Sequence, residues 1–341
     1  MTTSGTIAGR PATFALDTGA QPPFVITAAD ARRFGLEVDR EPPLEAAILE
    51  SISRPVNVVL QGGHSWKAGF AILKEANAPG LGLDAIIGWP VLKAYIMHYD
   101  RQRRIFAIGT DLRPQLANGR SFPIIPANYL LFDAGTAGEP LSVLLDSGDS
   151  GGVRLSGPLW NEWHQHNADL PSTYAWNYWF DTGWVMTELV LAREFRLGQL
   201  TLKNVLVSQL PAKGWTDTAA VIGLTAFGNH ALVVDGPGGR VLVGGPSASL
   251  VMPAYNRLGA SFGPEGRARV TGNSPAARAD IRDGDILVAI NRQTPEAYAA
   301  TVTAHHIWEQ PVGTTVQLTL RRESEIIERR VTLRNFLTGD Q

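Results

Sequence analysis

Phe14-Ala15-Leu16-Asp17-Thr18-Gly19-Ala20 is the stretch on which the chain turns: an apolar run delivers an Asp, a Thr and a Gly, and the backbone reverses. One Asp-Thr-Gly alone is weak, because Asp and Gly populate ordinary turns. A second copy, Val143-Leu144-Leu145-Asp146-Ser147-Gly148, gives it weight. Each copy has a downstream echo, Ala85-Ile86-Ile87-Gly88 after the first and Ala220-Val221-Ile222-Gly223 after the second. A turn paired with a later apolar-apolar-Gly strand, twice in one chain, is an internal repeat.

The bulk properties frame that repeat. A chain of 341 residues has room for two or three domains, each with its own core. Apolar residues make up 44% and charged residues 18%, with 35 Gly and 22 Pro, a globular and turn-rich balance that leans toward β structure. A net charge of −2 leaves no electrostatic case for nucleic acid or an anionic membrane surface. The short basic run Arg101-Gln102-Arg103-Arg104 reads as a solvated strand edge. The absence of Cys excludes disulfides, thiolate catalysis and Cys-ligated metal, and suits the cytoplasm or a bacterial periplasm. No apolar run reaches the ~20 residues of a membrane span. No basic-apolar leader precedes the first strand near Thr6, so the expected location is periplasmic or secreted if a signal peptide has been removed, and cytoplasmic otherwise.

The repeat divides the chain into residues 1–117, 118–248 and 249–341. In the first part, Ala12 to Leu16 is a strand into Asp17, Thr27 caps a helix through Phe34 that Gly35 stops, and Ala46 to Leu73 alternates like strands around Gln61-Gly62-Gly63. Asp84 to Gly88 is a buried strand, and Ile96 to Ile108 a hairpin turning at Asp100. The second part repeats the order: Pro140 to Leu145 runs into Asp146, and Ser156-Gly157-Pro158 opens a helix through Trp163. Tyr174 to Phe180 and Trp184 to Leu191 then flank Asp181-Thr182-Gly183. That third Asp-Thr-Gly has no apolar-apolar-Gly partner and reads as a hairpin tip, where a substrate-covering flap would fall. The last part has a helix start at Ser274-Pro275-Ala276-Ala277, a Gly284-Asp285 turn into a strand, and a second helix over Thr301 to Glu309.

Two carboxylates held about 3 Å apart cannot both ionise, so one keeps its proton near neutral or acidic pH. The charged one can take a proton from a water between them while the protonated one polarises a carbonyl, which is peptide hydrolysis without metal or covalent intermediate. Asp17 and Asp146 are the candidates. Gly19 and Gly148 allow close approach of the backbone, and the Thr18 and Ser147 hydroxyls can bond backbone across the junction. The two protons titrate as a coupled unit.

On these turns the chain resembles the two-lobed retropepsin- and pepsin-like aspartic peptidases, in a bacterial single-chain form with a C-terminal PDZ domain. Asp17-Thr18-Gly19-Ala20 and Asp146-Ser147-Gly148 match the family's catalytic turns, and Ile86-Ile87-Gly88 and Val221-Ile222-Gly223 the strands beside them. The resemblance implies a mostly β fold: two pseudo-symmetric retropepsin-like β lobes, residues 1–117 and 118–248, and a small α+β PDZ domain over 249–341. It also implies an aspartic endopeptidase that needs no cofactor or metal. Its partners would be protein or peptide substrates, and both lobes in one chain imply a monomer. Ala20, Ile86 and Val221 would line the cleft, with Tyr174, Trp176, Tyr178 and Trp179 forming apolar subsites; core or inter-lobe packing is the alternative for those aromatics.

Asp149 stands where the family has a small residue and is expected to face outward. The expected first-lobe flap, near Gly62-Gly63-His64, lacks the Tyr of pepsin-like flaps. The PDZ likeness rests on Ser274-Pro275-Ala276-Ala277 and Gly284-Asp285-Ile286-Leu287, with Asp280 and, in the turn Asn291-Arg292, Arg292 standing where the family has a Gly, positions that need φ > 0. Arg257-Leu258-Gly259-Ala260 is then the carboxylate loop for a protein C-terminus, and His305 lies on the groove helix or its exposed face.

Two rival readings share these residues. Gly148-Asp149-Ser150-Gly151-Gly152 matches the run around the nucleophile of trypsin-like serine proteases, which would need His64 or His98 as base. The other rival is a catalytically silent peptide-binding protein. His164-Gln165-His166 has no further ligands in sequence and reads as surface rather than metal site.

Overall fold

The protein is described here by a computed structural model covering residues 1–41, 48–74, 83–112, 116, 119–179, 183–211, 218–299, 301 and 307–338. It is mostly β. Among the described residues the first sheet has nine strands: β1 (Thr2–Ile7), β2 (Arg10–Asp17), β3 (Phe24–Thr27), β4 (Val38–Arg40), β5 (Leu49–Ser53), β6 (Val56–Leu60), β7 (Ser65–Ala68), β8 (Ala71–Leu73) and β9 (Ala85–Gly88). Their spatial order is β4-β5-β8-β3-β9-β2-β1-β6-β7.

The second sheet holds β10 (Ile96–Asp100), β11 (Ile105–Gly109), β12 (Arg120–Ile125), β13 (Leu131–Asp133), β14 (Ser142–Asp146), β15 (Val153–Leu155), β16 (Ser172–Trp179), β17 (Gly183–Leu197), β18 (Leu200–Gln209), β19 (Ala220–Gly223), β20 (His230–Asp235) and β21 (Arg240–Pro246). They lie in the order β11-β10-β20-β21-β12-β13-β14-β19-β15-β18-β17-β16.

The run β4-β5-β8-β3-β9-β2-β1 in one sheet matches β16-β17-β18-β15-β19-β14-β13 in the other, strand for strand. Directions match too: β2 with β9 and β14 with β19 are parallel, as are β3 with β8 and β15 with β18. In register, Asp17 lies opposite Gly88 and Asp146 opposite Gly223. The repeat read from short motifs is therefore carried by the whole strand order. Parallel strands of this kind are covered on both faces, which is why Leu16, Ile87, Leu145 and Ile222 are all buried in one core that spans both sheets.

Gly88 and Gly223 end those strands because of space. A Cβ on Gly88 would lie 2.6 Å from the Ala20 carbonyl oxygen, and one on Gly223 would lie 2.8 Å from that of Asp149. Each thus packs on the loop leaving its Asp turn. The helix α1 (Ala28–Phe34) is capped as expected: Thr27 Oγ1 accepts from the Asp30 N–H, and Gly35 ends it at φ +70°. A short helix α2 (Trp89–Leu92) follows β9, where the second half has a 3-10 turn, Leu224–Phe227. The helix α3 (Gly157–His166) runs past Trp163.

Three expectations change. The hairpin of Ile96 to Ile108, assigned to the first part of the chain, joins the second sheet, where β10 pairs with β20. The turn at Gly62-Gly63 belongs to β6–β7 at the far edge of the first sheet, and His64 packs edge-on against Tyr95. By strand order the counterpart of the β16–β17 hairpin is β4–β5, whose connection includes residues 42–47, outside the described residues. Finally, of the helix expected over Thr301 to Glu309, Ile307–Glu309 is a 3-10 turn and 302–306 lie outside the described residues; a helix at Pro295–Ala299 precedes it.

The C-terminal unit comprises β22 (Ala260–Phe262), β23 (Ala268–Val270), α4 (Pro275–Arg278), β24 (Ile286–Ile290), α5 (Pro295–Ala299), β25 (Thr315–Arg322) and β26 (Glu325–Thr332). It has its own apolar core around Leu258, Ile290, Val316, Leu318 and Leu333. The expected left-handed positions are there, Asp280 at φ +55° and Arg292 at +65°, and Asn291 before the latter is left-handed as well, at +49°. The unit docks on the second sheet through Tyr255 and Leu337, which pack on Leu191 and Leu206 of β17 and β18. Among the described residues no helix is long and apolar enough to cross a membrane.

Candidate active site

Asp17 and Asp146 each terminate one of the matched parallel strands, and the two turns meet at the junction of the halves. Their carboxyls lie against the opposite turns and each bears directly on the other's ionisation. Two ionised carboxylates offer no donor, so a hydrogen bond between them requires a shared proton. Asp17 Oδ1 accepts from the N–H groups of Gly19 (2.8 Å) and Ala20 (3.2 Å), and Asp146 Oδ1 from those of Gly148 (2.9 Å) and Asp149 (3.1 Å). The two turns are near copies in bonding as well as in sequence.

Four hydrogen bonds lock the turns together. Thr18 Oγ1 donates to the Leu145 carbonyl (2.6 Å) and accepts from the Ser147 N–H (2.9 Å). Ser147 Oγ donates to the Leu16 carbonyl (2.7 Å) and accepts from the Thr18 N–H (2.9 Å). Thr18 is 0% exposed and Ser147 3%, so water cannot substitute for these bonds.

The glycines serve approach rather than backbone conformation. A Cβ on Gly19 would sit 2.6 Å from Cγ of Asp146, and one on Gly148 would sit 2.5 Å from Cγ of Asp17. Each turn backs directly on the opposite carboxyl. Gly19→Ala should therefore push the carboxyls apart, costing about 1–3 kcal/mol by overpacking and roughly 100-fold in any activity that needs the pair in contact. Thermal unfolding and a cleavage assay on the same preparation measure both; an alanine variant with both properties unchanged would contradict the packing argument.

Burial is the largest influence on both acids and pushes both upward. Asp17 is raised well above its ordinary value, by burial and then by the charge and hydrogen bond of Asp146, against the Gly19 and Ala20 amides. Asp146 is raised less far: burial is opposed by the hydrogen bond from Asp17, the Gly148 amide and the charge of Arg154. Arg154, on β15, is 7% exposed, and burial lowers its own pKa to about 10. Nothing in the motifs singled out this residue; the signal available was a lone Arg in an apolar strand, Val153-Arg154-Leu155.

Other expected site residues fall in different places. Asp149 turns inward and pairs with Arg154, because that buried guanidinium needs a counter-ion. Ala20 shapes the first turn, its carbonyl accepting from the Trp89 N–H. Val221, expected in the cleft, is 1% exposed among Leu131, Leu144 and Leu210, and its counterpart Ile86 packs with Val25, Ala71 and Leu73. Val221 thus lies on a sheet face closed by apolar side chains, while Ile86 is half-buried. Tyr174 lies under the Arg269 guanidinium (5.1 Å to the ring centroid), and Trp176 packs so tightly on Gly263 that a Cβ there would be 2.8 Å from its ring. These aromatics meet the C-terminal unit, not an open subsite. The side chains of Tyr178 and Trp179, together with Asp181, Thr182 and His305, lie outside the described residues.

The expected carboxylate loop is closed on itself. The N–H groups of Leu258 and Gly259 both donate to Asn256 Oδ1 (3.0 and 3.1 Å), and Leu258 is buried in the unit's core. Arg257 Nη1 donates to the carbonyls of Glu309 and Gln310. Ala260 begins β22, paired with Val270 of β23. Ser150 is exposed, and among the described residues no histidine bonds to it; His98 lies in β10 and His64 beside Tyr95. His164 faces Glu188 at 3.6 Å and packs on Trp160. No protein-family model and no curated protein matches this chain.

Proposed function

We propose that the protein is an aspartic endopeptidase, a two-lobed molecule of retropepsin- and pepsin-like plan with a PDZ-like C-terminal domain. The observation that carries this reading is the juxtaposition of the Asp17 and Asp146 carboxyls, set between two matched strand systems and braced by Thr18 and Ser147. The ionised carboxylate takes a proton from water while the protonated one donates to the scissile carbonyl oxygen. The water oxygen bonds to the carbonyl carbon, giving a tetrahedral diol. The carboxyl that is now protonated passes its proton to the amide nitrogen, the C–N bond breaks, and a diol hydroxyl returns its proton to a carboxylate as the carbonyl re-forms. The pair ends the cycle with one proton, as it began. Ser150 is exposed and, among the described residues, no imidazole bonds to it, which weighs against nucleophilic serine chemistry.

For the C-terminal domain, the contacts of Gly263, Arg269 and Thr271 with β16 favour support of the β16–β17 hairpin over capture of a free C-terminus. The Asn256 cap would have to open before a carboxylate could enter.

A peptide-library digest between about pH 3 and 8 tests the function. The expected result is endoproteolytic cleavage at acidic to neutral pH, blocked by a statine-type transition-state analogue and unaffected by Ser150→Ala. Loss of cleavage in Ser150→Ala with indifference to the statine would replace this reading with the serine one.

A further inference from the structure

We propose that Asp149, Arg154 and Thr225 form a clamp that holds the Asp146 turn in place, doing in the second half what prolines do in the first. The three are positioning residues for the carboxyl pair, and the inference rests on the endopeptidase reading and deepens it.

The loops leaving the two turns match residue for residue. The carbonyls of Pro23 and Gly152 accept from the N–H groups of Gly88 and Gly223, at 2.9 Å each, and those of Ala20 and Asp149 from Trp89 and Leu224, at 3.1 Å each. Ala20-Gln21-Pro22-Pro23-Phe24-Val25 is therefore the counterpart of Asp149-Ser150-Gly151-Gly152-Val153-Arg154, and Pro90 that of Thr225. Strand pairing agrees, since Val25 lies opposite Ile86 and Arg154 opposite Val221. Proline fixes φ at about −65°, so the first loop is stiff by composition. Its corner is apolar, with Val25 packed on Ala71 and Leu73. Glycine has the widest backbone freedom, so the second loop needs other restraints.

Those restraints are side chains. Asp149 Oδ1 accepts from the Gly151 N–H at 2.7 Å, and its other oxygen pairs with the buried Arg154. The Thr225 hydroxyl reaches the carbonyls of Ser150 (2.9 Å) and Gly151. The glycines make room: a Cβ on Gly151 would be 2.6 Å from Arg154 Cζ, and one on Gly152 would be 2.9 Å from the Leu206 carbonyl carbon. The restraint reaches the reacting group directly, because the N–H of Asp149 donates to Asp146 Oδ1 at 3.1 Å. The run Gly148-Asp149-Ser150-Gly151-Gly152 thus has a mechanical role that involves no nucleophile.

Asp149→Ala with Arg154→Val removes the ion pair without stranding either charge. In the full chain it should lower kcat about 10- to 100-fold with little change in KM, and speed hydrogen exchange of the amides over 148–152. Adding Gly151→Pro completes the first-half pattern at these three positions and should restore both. The same proline in the unsubstituted chain should be harmful, since it meets Arg154 and removes the N–H that Asp149 holds. A pair that only stabilised the fold would shift thermal unfolding and leave kcat and loop exchange unmoved. A folded double variant with undiminished kcat or unaltered exchange overturns the proposal, as does a triple variant no better than the double. If the double variant does not fold, the triple decides: recovery of fold, protection and kcat supports the clamp, and continued failure overturns it. A chain that cleaves no peptide overturns the endopeptidase reading instead, and the exchange measurement still tests the clamp.

Discussion

Asp17→Asn and Asp146→Asn are each expected to abolish peptide cleavage while leaving the protein folded and no less stable at neutral pH. Asparagine keeps the Oδ1 that accepts from the turn amides but cannot exchange a proton with water or substrate. The loss should be at least of the order of 10²–10⁴-fold expected for general acid–base groups. The stability result follows from the raised pKa of Asp17. An acid held above its ordinary value of 3.8 binds protons in the folded state that the unfolded chain has already released. Stability therefore falls as pH rises from about 4 through the folded-state pKa, and is regained on acidification. Asp17→Asn removes that ionisation and should flatten this part of the profile. Thermal unfolding of both proteins at several pH values, beside a cleavage assay, measures the two effects together. Retained cleavage in Asp17→Asn would reject the mechanism, and an unflattened profile would reject the buried, shared proton.

Thr18→Val should be among the most destabilising single changes in the molecule, although it preserves volume. It removes one donor and one acceptor from a site where neither the Leu145 carbonyl nor the Ser147 N–H can turn to water. Each buried polar group left unpaired costs about 1–3 kcal/mol, so a total of roughly 2–6 kcal/mol is expected for the two. Thr18→Ser keeps both bonds and should cost far less. Ser147→Ala should resemble Thr18→Val, and the double change should cost less than the sum because the four bonds form one network. Urea denaturation of the set measures this. Equal stability of Thr18→Val and Thr18→Ser would show that the hydroxyl does not hold the halves together.

Features whose physics is local are legible in the chain itself. Thr27 and Gly35 bound a helix because a hydroxyl can satisfy an N-terminal amide and glycine tolerates left-handed backbone. Asp280, just past α4, and Arg292, just past β24, adopt positive φ where the chain must turn. Asp17 and Asp146 could be paired on paper because each carries its own downstream strand, and two copies of one arrangement have a natural common junction.

The partners reached across space were not legible in the same way. Alternation along a strand says which side chains share a face, but not what covers that face. Val221 and Trp176 were thus expected at an open cleft and are packed instead, one under an apolar cluster and the other against Gly263. The amides of Leu258 and Gly259 were expected to be vacant for a ligand, yet the neighbouring Asn256 fills them.

By itself, then, the sequence determined the twofold pattern, the acids at its centre and the turns that deliver them, since each depends on neighbours close along the chain. Only the tertiary structure decided which way Asp149 points, because the guanidinium that draws it inward becomes its partner once β15 is laid against β19 and buried. A charge removed from water must find its counter-charge in the folded packing, and composition and spacing do not specify that packing.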